Sequence, residues 1–366
     1  MNIGIPKERR DLELRVGLTP YGVDLLTRAG HTCYVEAEAG LGSGFTDYYY
    51  ERAGGRVVYS GEEVYGRSDL VLKAVRPTDE EMEWLREGQI VAGFLHLASA
   101  RRRKVEILLE KRITAIAYET IEEDDGTLPV LRTMSEVAGR MAPQLAATFL
   151  QSNYGGRGVL LGGVPGIPSA RVAILGAGVL GTNAARAFLG LGANVFVLDH
   201  NLERLRQIDQ QFNGRITTMV SYSFNIARVA RFAEVLIGAV LTPGARAPII
   251  VTREMVRSMK KGAVILDFSI DQGGCVETSR LTTLRDPVFI EEGVVHFCVP
   301  NVPGAVPRTA THAFNNAVWP CIRRVAAVGL EEALDEVPAL ARGVATKYGE
   351  IVNEPLAAAY YAGTGE

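Results

Sequence analysis

The sequence predicts an α/β protein with two doubly wound parallel sheets, each in its own domain. Short apolar runs alternate with helical patterns, first between residues 1 and about 130 and again from Arg171 onward. Such alternation is typical of parallel strands that are joined by helices. The length of 366 residues fits two domains, and the 39 glycines and 16 prolines cluster without a fixed period, which indicates loops between elements.

The first set of apolar runs predicts the first sheet. Its strands are expected in NIGI, TCYVEA, DLVLKAV, QIVAGFL and TAIAY. A helix is expected over Pro20–Arg28, because Thr19 is a suitable N-cap residue and Gly30 ends the pattern. Another helix is expected near residues 135–151, where Pro143 could kink it.

The second set of runs begins after a glycine-rich connection at residues 154–170. Strands are expected in RVAILG, NVFVLD, VLIGAV and AVILDFS, with helices between them to about Leu189 and from Leu202. After residue 305 the pattern is helical and no strand alternation is expected. We therefore predict a discontinuous first domain of residues 1–130 plus 306–366, completed by this helical tail, and a second domain of residues 131–305.

Composition and charge exclude several classes of protein. With 39 basic and 42 acidic side chains the net charge is -3, so neither a nucleic-acid nor a membrane partner is expected. The longest candidate for a membrane span, residues 232–251, contains Glu234 and Arg246, which argues against a transmembrane helix. The amino terminus lacks the apolar core of a secretory signal, so a reducing, cytoplasmic compartment is expected. The four cysteines show no metal-ligand spacing, so we expect free thiols and no metal site.

A dinucleotide-binding pattern starts at Arg171. The predicted strand RVAIL runs into Gly176, Gly178 and Gly181, a helical pattern follows, and the next strand ends in Asp199. Glycines let the backbone approach a pyrophosphate, and the terminal carboxylate would bind the ribose hydroxyls and repel a 2′-phosphate. The pattern favours NAD over NADP, with a glycine turn and a surface aspartate as the alternative interpretation. Domain 131–305 is thus predicted to bind NAD, which leaves domain 1–130 plus 306–366 for the substrate.

Four titratable residues are candidates for the chemistry. Asp271 follows the strand AVILDFS, where open sheets place ligands, although it could simply cap a turn. Lys73 and His96 each end an apolar strand of the first sheet. Either residue alone would favour a structural role, but because both occupy such positions, a functional role has equal weight. Arg15 could bind an anion or be a surface charge.

Several segments together resemble bacterial L-alanine dehydrogenase, over residues 1 to about 360. The segments are IGIPKE (3–8), RVGLTPYGVDLL (15–26), GLGSGFTD (40–47), MSEVAGRMA (134–142), GGRGVLLGGVPGIP (155–168), DFSIDQGGCVETSR (267–280) and NVPGAVPRTAT (301–311). The resemblance implies two Rossmann-like domains and the NAD-dependent, reversible oxidative deamination of L-alanine to pyruvate and ammonium, in a cytoplasmic homohexamer.

The resemblance also implies roles for individual residues. Arg15 and Lys73 would bind the substrate, and His96 and Asp271 would be catalytic and handle protons. The implied cofactor contacts, besides the three glycines and Asp199, are Ser135, Arg204, Ser221, Val240, Leu241 and Asn301.

This chain departs from the usual family pattern beside the candidate site. After Lys73 the family usually reads valine, lysine, glutamate, where this chain has Ala74, Val75 and Arg76. Such changes could alter the pocket and the preferred 2-oxo acid. Two alternatives therefore stay open: a related amino-acid or opine dehydrogenase, and a non-catalytic NAD-binding subunit similar to that of transhydrogenase.

Overall fold

The computed structural model describes residues 1–240 and 246–362. The chain divides into two compact units, Met1–Met134 with Gly304–Glu366 and Ser135–Pro303. Each unit contains one mainly parallel sheet with helices between its strands, so the predicted α/β class is confirmed. The expectation of purely parallel sheets is wrong, because strands at one edge of each sheet pair antiparallel. The functional assignment of the two domains stays a prediction.

Both sheets share the same central strand order. The strands are β1 (Asn2–Ile5), β2 (Thr32–Glu36), β3 (Arg56–Val58), β4 (Leu70–Val75), β5 (Ile90–Phe94), β6 (Thr114–Ala117), β7 (Arg171–Leu175), β8 (Asn194–Asp199), β9 (Thr217–Val220), β10 (Val235–Gly238), β11 (Val264–Asp267), β12 (Val288–Glu291), β13 (Val294–Phe297), β14 (Val344–Lys347) and β15 (Glu350–Ile351). The first sheet has the order β15-β14-β6-β5-β4-β1-β2-β3, and the second has β12-β13-β11-β10-β7-β8-β9. In each sheet the order reverses beside the first strand of the unit, which is where open α/β sheets bind ligands.

The helices cover the sheets. They are α1 (Pro20–Arg28), α2 (Asp47–Arg52), α3 (Gly61–Arg67), α4 (Asp79–Trp84), α5 (Arg102–Glu110), α6 (Pro129–Phe149), α7 (Val179–Gly190), α8 (Leu202–Gln211), α9 (Ser223–Phe232), α10 (Arg253–Ser258), α11 (Pro307–Val328), α12 (Leu330–Glu336), α13 (Pro338–Arg342) and α14 (Glu354–Ala362). The expected bounds of α1 are confirmed, and Thr19 caps it by accepting a hydrogen bond from the Gly22 N–H. Helix α6 begins earlier than predicted and contains Pro143.

The carboxyl-terminal segment completes the first unit, but it is not purely helical. Helix α11 packs in the first unit, where Thr311 and Asn315 accept hydrogen bonds from the Val16 and Thr19 N–H groups. The expectation of no further strands is wrong, because β14 pairs antiparallel with β6 and β15 pairs with β14. The strands VATK and EI are too short to show a clear alternation, and their pairing depends on tertiary contacts.

Candidate functional site

The loop between β7 and α7 has the shape of a pyrophosphate-binding turn. A Cβ at Gly181 would lie 1.8 Å from the Gly176 carbonyl oxygen, and one at Gly176 would lie 2.3 Å from the Ala239 carbonyl oxygen. Packing against the chain itself therefore requires both glycines. A Cβ at Gly178 would meet open space, although this residue is the N-cap of α7. The absence of a side chain there leaves the helix N-terminus open to an anion, which fits a dinucleotide.

Asp199 lies at the end of β8 and faces this loop. Its Oδ2 accepts a hydrogen bond from the Ala177 N–H at 2.7 Å, and its Oδ1 accepts one from the Asn201 N–H at 2.8 Å. The carboxylate is therefore fixed beside the glycine loop, at the position from which such an acid binds ribose hydroxyls. The alternative of a surface aspartate is wrong, because Asp199 is buried.

The other predicted cofactor contacts are distributed along the second unit. Ser221 lies directly beyond β9 and donates its backbone N–H to the Asp199 carbonyl at 3.0 Å, which brings it beside the end of β8. Val240 follows β10, and its backbone N–H and carbonyl both bond to the Ser269 hydroxyl. Ser135 is half-buried on α6, Arg204 is exposed on α8, and Asn301 has a φ of +53°. Leu241 lies outside the described residues.

Asp271 lies in a short turn just beyond β11, as its place after the predicted strand suggested. The turn is anchored by Asp267, a buried carboxylate at the end of β11 that the sequence analysis did not single out. Asp267 accepts hydrogen bonds from the Ser269, Cys275 and Val276 N–H groups. Asp271 is exposed, and its Oδ2 lies 3.5 Å from the backbone nitrogen of Asn301. The two predicted site residues Asp271 and Asn301 are thus brought together.

Arg15 is a buried residue of the first unit, so the alternative of a surface charge is wrong. Its side chain is 2% exposed, and its Nε and Nη2 donate to the two carboxylate oxygens of Glu13 at 2.7 and 2.6 Å. Nη1 donates to the thioether of Met134, a weak acceptor, at 3.5 Å. Glu13 thus fixes the guanidinium and leaves the Nη1 side with little competition for an incoming carboxylate.

A cleft of about 260 Å³ opens beside Arg15. Its charged lining residues are Lys7, Glu8, Glu13, Arg15 and Glu38. The cleft offers both a cation and carboxylates, which suits a small zwitterion such as an amino acid. Burial raises the pKa of Glu8, and the nearby carboxylate of Glu81 adds to this rise although Lys73 opposes it.

Lys73 has surroundings that differ from those expected of a strand-end residue. It lies within β4 rather than at its end, and it is fully buried. Its Nζ lies 2.5 Å from an oxygen of Glu81 and 3.0 Å from an oxygen of Glu8. Burial alone would lower the pKa of Lys73, but the two carboxylates outweigh it and raise that pKa. This geometry favours the structural role.

His96 lies two positions beyond the end of β5, and its side chain is 54% exposed. It adopts the left-handed region with φ +43°, which is rare for a residue other than glycine. Its ring stacks on Phe94, and its Nδ1 lies 3.9 Å from an oxygen of Glu119. His96 is therefore presented to solvent in a fixed backbone conformation, whereas Lys73 is enclosed.

Several carboxylates that bind the candidate residues were not predicted from the sequence. Glu13 could have been found, because it precedes Arg15 by two positions in the same segment. Glu8, Glu81 and Glu119 lie in other elements than their partners, and no spacing in the sequence connects them.

Residues 1–240 and 246–362 contain neither a membrane-spanning helix nor a metal-binding cluster. No helix there is long and apolar enough to cross a lipid bilayer. No cluster of histidine, cysteine and carboxylate side chains there could hold a metal ion.

Comparisons with known proteins agree over almost the whole chain. Residues 4–138 match the family described as alanine dehydrogenase/PNT, N-terminal domain, and residues 142–354 match its C-terminal domain. A protein of Staphylococcus saprophyticus named alanine dehydrogenase is 48% identical over 360 residues, which cover 98% of this chain and 96% of that protein. A solved structure of an L-alanine dehydrogenase has a TM-score of 0.95 and 44% identity and covers 99% of both chains. A transhydrogenase structure from Sinorhizobium meliloti has a TM-score of 0.81 and 25% identity, and covers 97% of this chain and 99% of its own.

Proposed function

Because this chain belongs to the alanine dehydrogenase/PNT family, we propose that it catalyses the reversible, NAD-dependent oxidative deamination of L-alanine to pyruvate and ammonium. The relatives support the reaction, since proteins named alanine dehydrogenase match it at 46% to 48% identity over nearly their full length. The observation that carries the choice of cofactor is the fixed carboxylate of Asp199 beside the open glycine loop.

The second unit would hold the cofactor. The free N–H groups at the start of α7 would bind the pyrophosphate, because Gly178 leaves that approach open. Asp199 would accept hydrogen bonds from the adenosine ribose and would repel the 2′-phosphate of NADP. Ser135, Arg204, Ser221, Val240, Leu241 and Asn301 are proposed as the further contacts. When bound, NAD accepts the hydride from Cα of the amino acid.

Arg15 would bind the substrate carboxylate. Its guanidinium is oriented by Glu13 and lines the cleft of the first unit, so little side-chain entropy remains to be lost on binding. We assign Lys73 no direct contact with the substrate. Its ion pairs instead fix Glu8, whose other oxygen accepts a hydrogen bond from the Ala74 N–H at 2.7 Å.

His96 and Asp271 would move protons in the steps other than hydride transfer. Water must attack the iminium carbon, and the resulting carbinolamine must lose ammonia, so protons are both taken up and released. The exposed imidazole of His96 can both accept and donate a proton. The carboxylate of Asp271 can orient the water and favour the positive charge of the iminium.

We further propose a cytoplasmic homohexamer whose only other ligands are its small-molecule substrates. Exposed apolar side chains support the assembly: Leu160, Val164 and Ile167 project from one glycine-rich segment, in which Val164 and Ile167 form a β-bridge. Several exposed apolar side chains on one segment are consistent with a subunit interface. Size measurements in solution would test this part of the proposal.

A substrate screen tests the proposed function. NADH formation is measured with each common L-amino acid, and NADH consumption is measured with 2-oxo acids plus ammonium. We expect L-alanine and pyruvate to be the best substrates and NADP to be a poor replacement for NAD. A preference for another amino acid would assign a different dehydrogenase, and no reduction of NAD with any of them would favour the non-catalytic alternative.

A further inference from the structure

The backbone of the Leu95–His96 segment is held from two sides by charged groups. On one side, the carboxylate of Glu119 accepts hydrogen bonds from the Leu95 N–H at 3.1 Å and the His96 N–H at 2.5 Å. On the other side, Nη1 of Arg76 donates to the Leu95 carbonyl at 3.0 Å and the His96 carbonyl at 2.5 Å. Both N–H groups and both carbonyls of these two residues therefore have a charged partner. We call Arg76 and Glu119 the backbone clamp.

The clamp lies where the backbone is strained. His96 has φ +43°, and a residue with a Cβ occupies this region at a cost in free energy. Strained conformations persist when several surrounding contacts determine them together. The Ser99 hydroxyl adds one more bond to the His96 carbonyl, at 3.0 Å. The four clamp bonds are thus well placed to keep His96 in the conformation that directs its ring.

The position of Arg76 is locally unfavourable in free energy, which is unexpected for a residue that only stabilises the fold. Its Nε is buried and has no hydrogen-bond partner. Burial lowers the pKa of Arg76, and the neighbouring Arg10 lowers it further, although Glu119 and Asp79 oppose both effects. A buried donor without a partner is unfavourable, so the contacts of Nη1 must compensate for it.

Arg76 is also one of the departures of this chain from the usual family sequence, which has glutamate after the second lysine. A glutamate could not donate to the two carbonyls, and its charge would repel Glu119. The two-sided clamp is therefore a feature of this chain and does not follow from the resemblance.

We propose that Arg76 and Glu119 are positioning residues for His96, which they hold in the orientation that proton transfer requires. This inference rests on the proposed function, because it assumes that His96 transfers protons. Neither clamp residue needs to touch the substrate. Their effect passes through the two peptide groups that they bind.

The test compares variants at the clamp with a matched control. Arg76→Met keeps the length of the side chain and removes its donors, Arg76→Lys restores a donor, and Glu119→Gln removes one of the two good acceptors. Arg103→Met is the control, because it removes an exposed arginine of the same unit that pairs with Glu110. We expect Arg76→Met to lower kcat by about 10- to 100-fold, the usual effect of a small misplacement of a reacting group, and to leave KM for NADH within about threefold.

Two further readouts separate positioning from folding. Arg76→Lys should recover most of the lost kcat, and Arg103→Met should retain the wild-type value. Hydrogen exchange measured over residues 94–99 should be faster in Arg76→Met and in Glu119→Gln than in the wild type, because the protected amides open more often. A lower melting temperature with an unchanged kcat would overturn the proposal, since the clamp would then serve only stability.

His96→Ala distinguishes failure of the inference from failure of the proposed function. One outcome is that His96→Ala abolishes activity while Arg76→Met and Glu119→Gln do not lower kcat. The positioning role of the backbone clamp is then wrong, and the role of His96 stands. If His96→Ala retains full activity, the assignment of His96 is wrong, and the positioning proposal is overturned with it.

Discussion

Replacing Lys73 by methionine would remove the cation that lies between Glu8 and Glu81 inside the first unit. All three side chains are at most 1% exposed, and the two ion-pair distances are 3.0 and 2.5 Å. Methionine fills a similar volume, so the main effect is that two buried carboxylates lose their counter-charge. Removal of one partner of a buried ion pair costs about 3–5 kcal/mol, and we expect the free energy of unfolding at pH 7 to fall by about that amount.

The loss of unfolding free energy in Lys73→Met should depend on pH in a defined direction. In the wild type the pKa of Glu81 is lowered, because Lys73 outweighs the effect of burial. The stabilisation from Glu81 is therefore present above its ordinary pKa of 4.5 and is lost as the pH falls below that value. Without Lys73, burial raises the pKa of both carboxyl groups, so protonation stabilises the folded variant. The difference between variant and wild type should be largest near pH 7 and should shrink toward pH 4.5.

Urea titrations followed by tryptophan fluorescence measure this difference in the relevant unit. Both tryptophans, Trp84 and Trp319, belong to the first unit. Lys7→Met is the matched control, because Lys7 forms an exposed ion pair with Glu38 and its removal should leave the unfolding free energy near the wild-type value. The structural role is refuted if Lys73→Met lowers the free energy of unfolding no more than Lys7→Met does. It is also refuted if Lys73→Met leaves this free energy unchanged and mainly raises KM for pyruvate.

Three other substitutions test the proposed site. Asp199→Ala should narrow the preference for NAD over NADP, measured as the ratio of kcat/KM for the two cofactors, by roughly 10- to 100-fold. The reason is that it removes both ribose hydrogen bonds and the repulsion of a 2′-phosphate, and an unchanged ratio would contradict it. Arg15→Lys keeps the charge and loses the planar fork, so KM for pyruvate should rise much more than KM for NADH, and equal increases would remove Arg15 from the substrate site. Asp271→Asn keeps the shape and removes the charge, so kcat should fall by about 10²- to 10³-fold, whereas activity near that of the wild type would leave only a turn-capping role.

The sequence was sufficient to predict the α/β class and the central parallel strands of both sheets. Parallel strands buried on both faces give continuous apolar runs, and local signals such as Thr19 before Pro20 mark where a helix starts. The glycine loop and Asp199 were also predictable, because strand, loop, helix and next strand are consecutive in the chain. Strands β3, β9, β12, β13, β14 and β15 were not predicted, and most of them lie toward the edges of the sheets. Strand β14, for example, is short and pairs with β6, which lies more than 200 residues earlier.

The site was predictable only in part, because residues distant in the chain decide what each candidate does. Lys73 and His96 both follow or belong to apolar strands, and nothing local separates a lysine enclosed by Glu8 and Glu81 from one that faces a ligand. The left-handed backbone of His96 is likewise maintained by Glu119 and Arg76, which follow other strands. Such partners become visible only when the strands are assembled into a sheet.

The central claim, hydride transfer from Cα of L-alanine to NAD, is tested most directly with L-alanine deuterated at Cα. The enzyme is incubated with this substrate and NAD, and the NADH that forms is analysed by mass spectrometry. The account predicts that the NADH carries one deuterium and that the product is pyruvate. NADH without deuterium, or no NADH at all, would contradict it.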